Sequence, residues 1–437
     1  MKRKLLGKLI EWKNSPGRKP LMLEGARQVG KTYLLAEQFG KGCFDNVLRI
    51  NFFNPSPPVI ELFNGSIDAR RIVQNLEAIY NVKIDPEKTL LFFDEIQEVP
   101  RALTALKSFY EDAPEYHLAV AGSLLGVFFK GKQSSFPVGM VNTLKLEPMD
   151  FEEFLWANGR EQVASALKKD PAAKYFDEIL LDLFRQYLVV GGMPEAVQSW
   201  VNEHNPEKIS AIQSEITGNY TRDFSKHTGG DRVLATRIKQ VFDSLPGQFA
   251  KNNDKFVYGV VKTGARAREY EEAIEWLVNA DVARRVYNVS RGDKIPLKAH
   301  IDRSAFKLYF LDVGLFRKLA DIPSKVIFDS HALFDEFKGL LAEQYVLQEL
   351  ATRALYYWVG STTAEVDFVT QDDARILPIE VKSGTNLQAK SLRVYREKFH
   401  PELSVRFSLR DLKWQDGLVN IPLPKSFLFD DIIRAHP

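Results

Sequence analysis

The stretch PLMLEGARQVGKTYLL, residues 20–35, constrains the fold of this chain more than any other. A short apolar run, a loop bounded by Gly25 and Gly30, and Lys31-Thr32 opening an apolar-periodic segment give the order strand, loop, helix. The glycines let the backbone curl so that successive N–H groups face one anion, at the positive end of the following helix. Gly25, Ala26, Arg27, Gln28, Val29, Gly30, Lys31 and Thr32 match G-x-x-x-x-G-K-[ST] in full, and Tyr33 follows. In such a loop Lys31 reaches the β- and γ-phosphates of a nucleoside triphosphate and the Thr32 hydroxyl ligates Mg²⁺, so ATP and Mg are the expected cofactors.

A phosphate loop of this kind needs a sheet behind it. Up to about Leu155 the runs PLMLEG, NVLRINFF, TLLFFDE, HLAVAGS and TLKLEPM alternate with helical segments. Strands apolar along their whole length, separated by helices, predict an α/β fold with a parallel sheet covered on both faces. TLLFFDEIQ sets Asp94 and Glu95 at the end of such a strand. Asp94 is placed to hold Mg²⁺ through water, and Glu95 to polarise the attacking water. HLAVAGS ends in Ser123, read either as a γ-phosphate sensor or as the cap of the next helix.

With 437 residues the chain exceeds one ordinary core, and 45% hydrophobic with 27% charged residues is the balance of a soluble globular protein. Lys and Arg total 59 against 57 Asp and Glu, so overall charge does not announce nucleic acid, although a local basic face is compatible with it. The single cysteine, Cys43, excludes an intrachain disulfide and a cysteine-based zinc site, which favours a cytoplasmic location. No apolar run approaches the roughly 18 residues of a membrane span, so no membrane association is expected.

Helical periodicity dominates from about residue 156 to 230, as expected of a lid or connector. Residues 231–300 then give short helices followed by VARRVYNVSRGDKIPLKAHI, read as a strand pair around Gly292. Helices followed by a β-hairpin suggest a winged helix. Lys262, Arg266 and Arg268 precede or open its last helix, and Arg284, Arg285 and Arg291 lie toward the wing, where such a module meets phosphate. Glu269, Glu271, Glu272 and Glu275 interleave on the same helix and would repel DNA, which leaves an interdomain or protein-contact role open.

In the remainder, AEVDFV and PIEVKSG put Asp367 on one strand and Glu380 with Lys382 on the next. Residues two apart in a strand share a face, so Glu380 and Lys382 point the same way. Two carboxylates and a lysine at a hairpin can hold Mg²⁺ at Asp367 and Glu380, orient a water and offset phosphate charge. The pattern resembles the PD-(D/E)xK nuclease core, with Glu343 on the preceding helix a further acidic group. A metal-binding fold without cleavage and a salt-bridged hairpin are the other readings of the same residues.

Taken in order, RKPLMLEGARQVGKT, FFDEIQ, FPVGMVNTLKLEPMDFEEFL, YLVVGGMPEAV, ARAREYEEAIEWL, LYFLDVGLF and AEVDFV with PIEVKSG resemble the landmarks of prokaryotic AAA-type ATPases carrying a C-terminal domain of uncharacterised function. The resemblance implies an AAA-type ATPase domain over 1–155, a helical lid over 156–230, a winged-helix-like domain over 231–300 and a restriction-endonuclease-like α/β module over 301–437. Such proteins often have a basic residue after the PVG glycine, where this chain has Gly139-Met140, so an arginine finger would come from elsewhere, with Arg222 the substitute candidate. The expected activity is MgATP hydrolysis coupled to work on DNA. The alternative is a signalling or defence switch that binds a protein partner; a small-molecule kinase is disfavoured because it would not need the residues after about 230. Oligomerisation is compatible with each.

Overall fold

The computed structural model describes residues 1–130, 139–249, 254–328, 335–360, 364–384 and 390–435. Two compact units emerge, Met1–Glu147 with Asn279–Asp281, and Pro148–Val278 with Val282–Pro437.

The first unit is built on β1 (Leu21–Glu24), β2 (Asn46–Asn51), β3 (Thr89–Asp94), β4 (His117–Ala121) and β5 (Asn142–Lys145), in the order β2-β3-β4-β1-β5. Every neighbouring pair is parallel. β3 and β4 are buried along their whole length, which is why their sequences are apolar without alternation. Helices Ala69–Tyr80 and Pro100–Asp112 bury Ile72, Val73, Leu76, Leu103 and Phe109 against Met22, Leu91 and Phe93 of the sheet. Parallel strands present their C-terminal ends on one edge, so the β1 loop, Asp94 of β3 and Ser123 after β4 share that edge. β4 lies between the loop-bearing β1 and the carboxylate-bearing β3.

The second unit begins with helices Phe151–Ala157, Glu161–Lys169, Asp177–Val190, Pro194–Glu203, Pro206–Lys226 and Arg232–Phe249, in accord with the helical periodicity there. Asp150 and Glu153 close a reciprocal capping box at the first of these, satisfying two otherwise orphaned N–H groups. The short helix Tyr258–Val261 and the helix Ala267–Asn279 follow.

Next come β6 (Ala283–Val289), β7 (Ile301–Phe310), β8 (Leu355–Val359), β9 (Glu365–Asp372), β10 (Arg375–Val381), β11 (Ser404–Ser408), β12 (Lys413–Gln415) and β13 (Leu418–Pro422). They form one mixed sheet in the order β12-β13-β11-β10-β9-β8-β6-β7. The strand pair expected around Gly292 exists as antiparallel β6 and β7, but β6 also pairs in parallel with β8 through Tyr287 and Tyr356. A boundary at residue 300 would therefore divide a hydrogen-bonded pair, because the hairpin expected as a free wing is the end of the C-terminal sheet. Helix Asp335–Glu349 is tied to that end, with Gln344 bonding both the N–H and the carbonyl of Phe310. No helix among the described residues is long and apolar enough to cross a membrane.

Candidate functional site

The loop after β1 adopts backbone angles that most side chains avoid. Gly25 has φ 138° and Gly30 φ 95°, and a Cβ on Gly25 would stand 2.2 Å from the carbonyl oxygen of Leu146. The two motif glycines are thus demanded by the turn itself. Gln28, also within the loop, has φ 65°. Lys31, Thr32 and Tyr33 form the first turn of the following helix, which continues as a π-helical stretch over Leu34–Gly40.

The buried Lys31 ammonium donates to the carbonyl oxygens of Gly25 and Ala26 at 2.7 and 2.8 Å. Burial pulls its pKa down to about 8, against the pull of Glu95, Asp281 and Asp94. The Thr32 hydroxyl donates to both carboxylate oxygens of Asp94, at 3.2 and 3.1 Å, so β1 and β3 bring the two expected Mg²⁺ residues into direct contact.

Two further side chains complete this edge, and neither was singled out from the sequence. Arg49, from β2, donates Nε and Nη2 to one oxygen of Asp94 at 3.0 and 2.6 Å. Asp94 is only 3% exposed, and its burial raises its pKa although Arg49 and Thr32 hold it down. Gln97 donates to Glu95 at 2.7 Å, and the same Glu95 oxygen accepts from the Ser123 N–H and hydroxyl at 3.2 and 2.9 Å. Burial alone would raise the Glu95 pKa, but these bonds and the Lys31 charge outweigh it and leave the carboxylate below its ordinary range. Glu95 itself sits in the left-handed region at φ 53°. A basic residue in the run NVLRINFF was the available signal for Arg49; for Gln97 it was the amide two residues after the acidic pair.

In the second unit, antiparallel β9 and β10 pair Phe368 with Ile379, which sets Asp367 opposite Glu380. Asp367 accepts from the Val381 N–H at 2.6 Å, and Lys382 is ion-paired to Glu380 at 2.6 Å. The other Glu380 oxygen, Oε2, is buried without a hydrogen-bond partner among the described residues. Glu343 joins from its helix, accepting from Tyr309 of β7 at 3.2 Å, and Lys307 of β7 pairs with Glu365 of β9. Burial, with the charge of Glu343, raises Asp367 to about 8, and burial, with the charge of Asp367, raises Glu380 to about 8. Glu343 is also raised by burial. Carboxylates crowded in a dry site in this way share protons, and a divalent cation would relieve both the crowding and the unpartnered oxygen. Among the described residues no group of three or more His, Cys, Asp or Glu side chains is arranged to hold a metal ion.

The cations expected at a phosphate contact divide into two sets. On the wing side Arg285 is paired with Glu271 and Glu275 at 2.8 and 2.9 Å, Arg291 with Asp293 at 2.9 Å, and Arg284 donates to the Ala351 carbonyl. Those three are engaged with protein groups. Lys262, Arg266 and Arg268 are exposed. Arg222, the finger candidate, lies on helix Pro206–Lys226 and donates to Asn219 at 2.6 Å. Of the PVG segment, residues 137 and 138 lie outside the described residues; the Gly139 carbonyl accepts from Lys19 at 2.5 Å.

This arrangement of loop, carboxylates and strand order agrees with what the chain resembles. Residues 17–155 match the AAA domain family, so the first unit resembles a P-loop ATPase domain of the AAA type. Residues 181–326 and 338–426 match two domains of unknown function, DUF8612 and DUF4143. No curated protein matches the chain. Among solved structures, Aeropyrum pernix ORC1 in complex with DNA is 13% identical, with 74% of this chain and 94% of that chain covered and a TM-score of 0.28. Aeropyrum pernix ORC2, in ADPNP-ADP complexes, is 12% identical over 75% and 95%, with a TM-score of 0.36. Cdc6p from Pyrobaculum aerophilum is 10% identical over 76% and 96%, with a TM-score of 0.25.

Proposed function

We propose that the chain hydrolyses MgATP in its first unit and uses the cycle to control a divalent-metal centre in its second unit that acts on DNA. The observation that carries the ATPase part is the meeting of Lys31, Thr32, Asp94 and Glu95 on one sheet edge. Lys31 would leave the Gly25 and Ala26 carbonyls for the β- and γ-phosphates, and Thr32 with Asp94 would hold Mg²⁺, whose role is to neutralise phosphate charge. Glu95 is a carboxylate kept ionised in a mostly buried site, the state a water-activating base needs. Ser123, bonded to Glu95, is the group that would pass the state of the γ-phosphate to that base.

Asp367, Glu380 and Lys382 support the nuclease-like part. The unpartnered Glu380 oxygen and the raised carboxylates suit a divalent cation held by Asp367 and Glu380, with Glu343 behind them. Such a cation polarises a phosphodiester and activates water, and Lys382 supplies a positive charge on the same face. In this scheme the helices on either side of residues 250–253, Arg232–Phe249 and Ala267–Asn279, would be the DNA-facing element, while β6 and β7 belong to the C-terminal sheet. Incubating the purified protein with plasmid DNA, Mn²⁺ and ATP should produce nicks that vanish in Asp367→Ala, Glu380→Ala and Lys382→Ala alike, because each removes part of one unit. Nicking that persists in Asp367→Ala would reject this centre.

A second reading is favoured by the ion pair of Lys382 with Glu380 at 2.6 Å, which compensates one of the carboxylates without a metal. In it the second unit keeps the nuclease-like residues without cleavage, and the nucleotide cycle controls a protein partner. Metal binding without nicking in the parent would select it.

A further inference from the structure

Beside helices Arg232–Phe249 and Ala267–Asn279 the second unit has a cavity of about 520 Å³, and its rim has one charge sign in excess. Arg232, Arg237 and Lys262 line it, with Glu269 the acidic residue among the lining side chains. Arg266, next along the chain, opens the second of these helices. Among the described residues none of the side chains of Arg232, Arg237, Lys262, Arg266 or Arg268 has a hydrogen-bond or ion-pair partner, whereas Arg284, Arg285 and Arg291 are engaged. Cations that outnumber the acidic groups around a concavity repel one another, and an arriving polyanion relieves that repulsion.

Two observations make this a surface for docking rather than a loose set of solvated charges. First, the walls are fixed to each other: the buried Tyr270 donates its hydroxyl to Gln240 at 2.7 Å across the two helices. The floor of the cavity therefore keeps its shape as side chains move. Second, two of the four acidic residues that would repel DNA from helix Ala267–Asn279 are engaged with a buried arginine. Glu271 and Glu275 are neutralised by Arg285, whose side chain is only 6% exposed, on the side of the helix that faces β6. Glu269 accepts from the N–H of Arg266 at 3.0 Å and serves as a capping group. The sequence mixes both signs along this helix; in the structure Arg285 takes up Glu271 and Glu275.

We infer that the cavity lined by Arg232, Arg237 and Lys262 grips successive phosphates of a DNA duplex, so that the backbone runs over helices Arg232–Phe249 and Ala267–Asn279 and not along the β6–β7 turn. This rests on the reading of DNA as the substrate and names the residues that would hold it; Arg232 and Arg237 lie outside the basic residues noted around the hairpin. Contacts of this class position a duplex without reading its sequence.

The test is fluorescence anisotropy of a labelled duplex with the full chain, without ATP and in EDTA, so that neither ATP turnover nor the metal centre contributes. Three phosphate contacts give a slope of about −3 in log affinity against log salt concentration. Arg232→Gln, Arg237→Gln and Lys262→Gln should each make the slope shallower by about 1, equally for unrelated sequences, while Arg291→Gln leaves it unchanged. Thermal unfolding and far-UV circular dichroism of the same variants matching those of the parent show that each is folded. Unchanged affinity and slope in the triple variant, or no duplex binding by the parent, overturns the inference. Duplex binding with these slopes but no nicking in Mn²⁺ upholds it and rejects cleavage alone.

Discussion

Arg49 and Asp94 form an ion pair at 2.6 Å in which the carboxylate is almost fully buried and the guanidinium is nearly half exposed. Asp94 also accepts from Thr32, so its oxygens are satisfied by a neighbouring strand and by the phosphate-loop helix together. If Mg²⁺ takes over part of the charge compensation, the worth of Arg49 depends on whether MgATP is bound. Arg49→Ala should cost about 1–2 kcal/mol of stability without nucleotide, a charged hydrogen bond discounted for the exposed partner. Thermal melts should show that deficit shrinking at saturating MgATP. An equal deficit in both conditions would make Arg49 a purely structural counter-ion.

Lys31 gives a pH prediction with a definite sign. Its pKa stands near 8 because the ammonium is buried. Phosphate oxygens favour the charged form, so ATP raises that value, and binding takes up a proton above about pH 8. Calorimetry in buffers of different ionisation enthalpy should therefore report uptake at pH 8.5 that fades by pH 7, where Lys31 is already charged. Proton release at pH 8.5 would contradict the placement of Lys31 against phosphate.

The carboxylates of the second unit behave in the opposite sense. Asp367 and Glu380 are pushed up to about 8, so the folded protein binds protons there that the unfolded chain gives up near pH 4. Their contribution to stability is full below the unfolded pKa and is lost as pH rises toward 8. A divalent cation must displace those protons, so Mn²⁺ affinity should rise between pH 6 and 8, by roughly tenfold per pH unit for each proton released. Mn²⁺ should also stabilise the protein more at pH 8 than at pH 6. Affinity independent of pH over that interval would place the metal elsewhere.

How much of this could be read from the chain differs between its two halves. The loop from Gly25 to Thr32 and the carboxylates Asp94 and Glu95 are contiguous motifs on strands apolar throughout, and local pattern suffices for both. Arg49 escaped because a lone basic residue in a strand looks like a solvent-facing one until the neighbouring strand is known. In the second half the β6–β8 pairing joins Tyr287 to Tyr356 in parallel across a long crossover. No turn signal marks such a pairing, so the β6–β7 hairpin looked like the end of a separate module. Lys307 and Tyr309 reach the acidic cluster for the same reason. The pairing of Glu271 and Glu275 was likewise hidden, since it depends on Arg285 arriving from β6.

Ser123 and Gln97 hold Glu95 from two sides, and their removal separates binding from chemistry. Ser123→Ala should leave ATP affinity within about twofold while lowering turnover by roughly tenfold or more, because positioned bases contribute about 10²–10⁴ and this change removes an orienting group, not the base. Nucleotide titration alongside steady-state turnover separates the two effects. A matched loss of both would assign Ser123 to phosphate binding alone.

The account stands on ATP hydrolysis in the first unit, and the most direct measurement is phosphate release by the parent, Lys31→Ala and Glu95→Gln proteins, each with ATP affinity determined separately. The parent should hydrolyse MgATP, Lys31→Ala should lose binding and turnover together, and Glu95→Gln should bind ATP like the parent while turnover falls by about 10²-fold or more. Turnover in Lys31→Ala equal to the parent, or undiminished hydrolysis in Glu95→Gln, would contradict it.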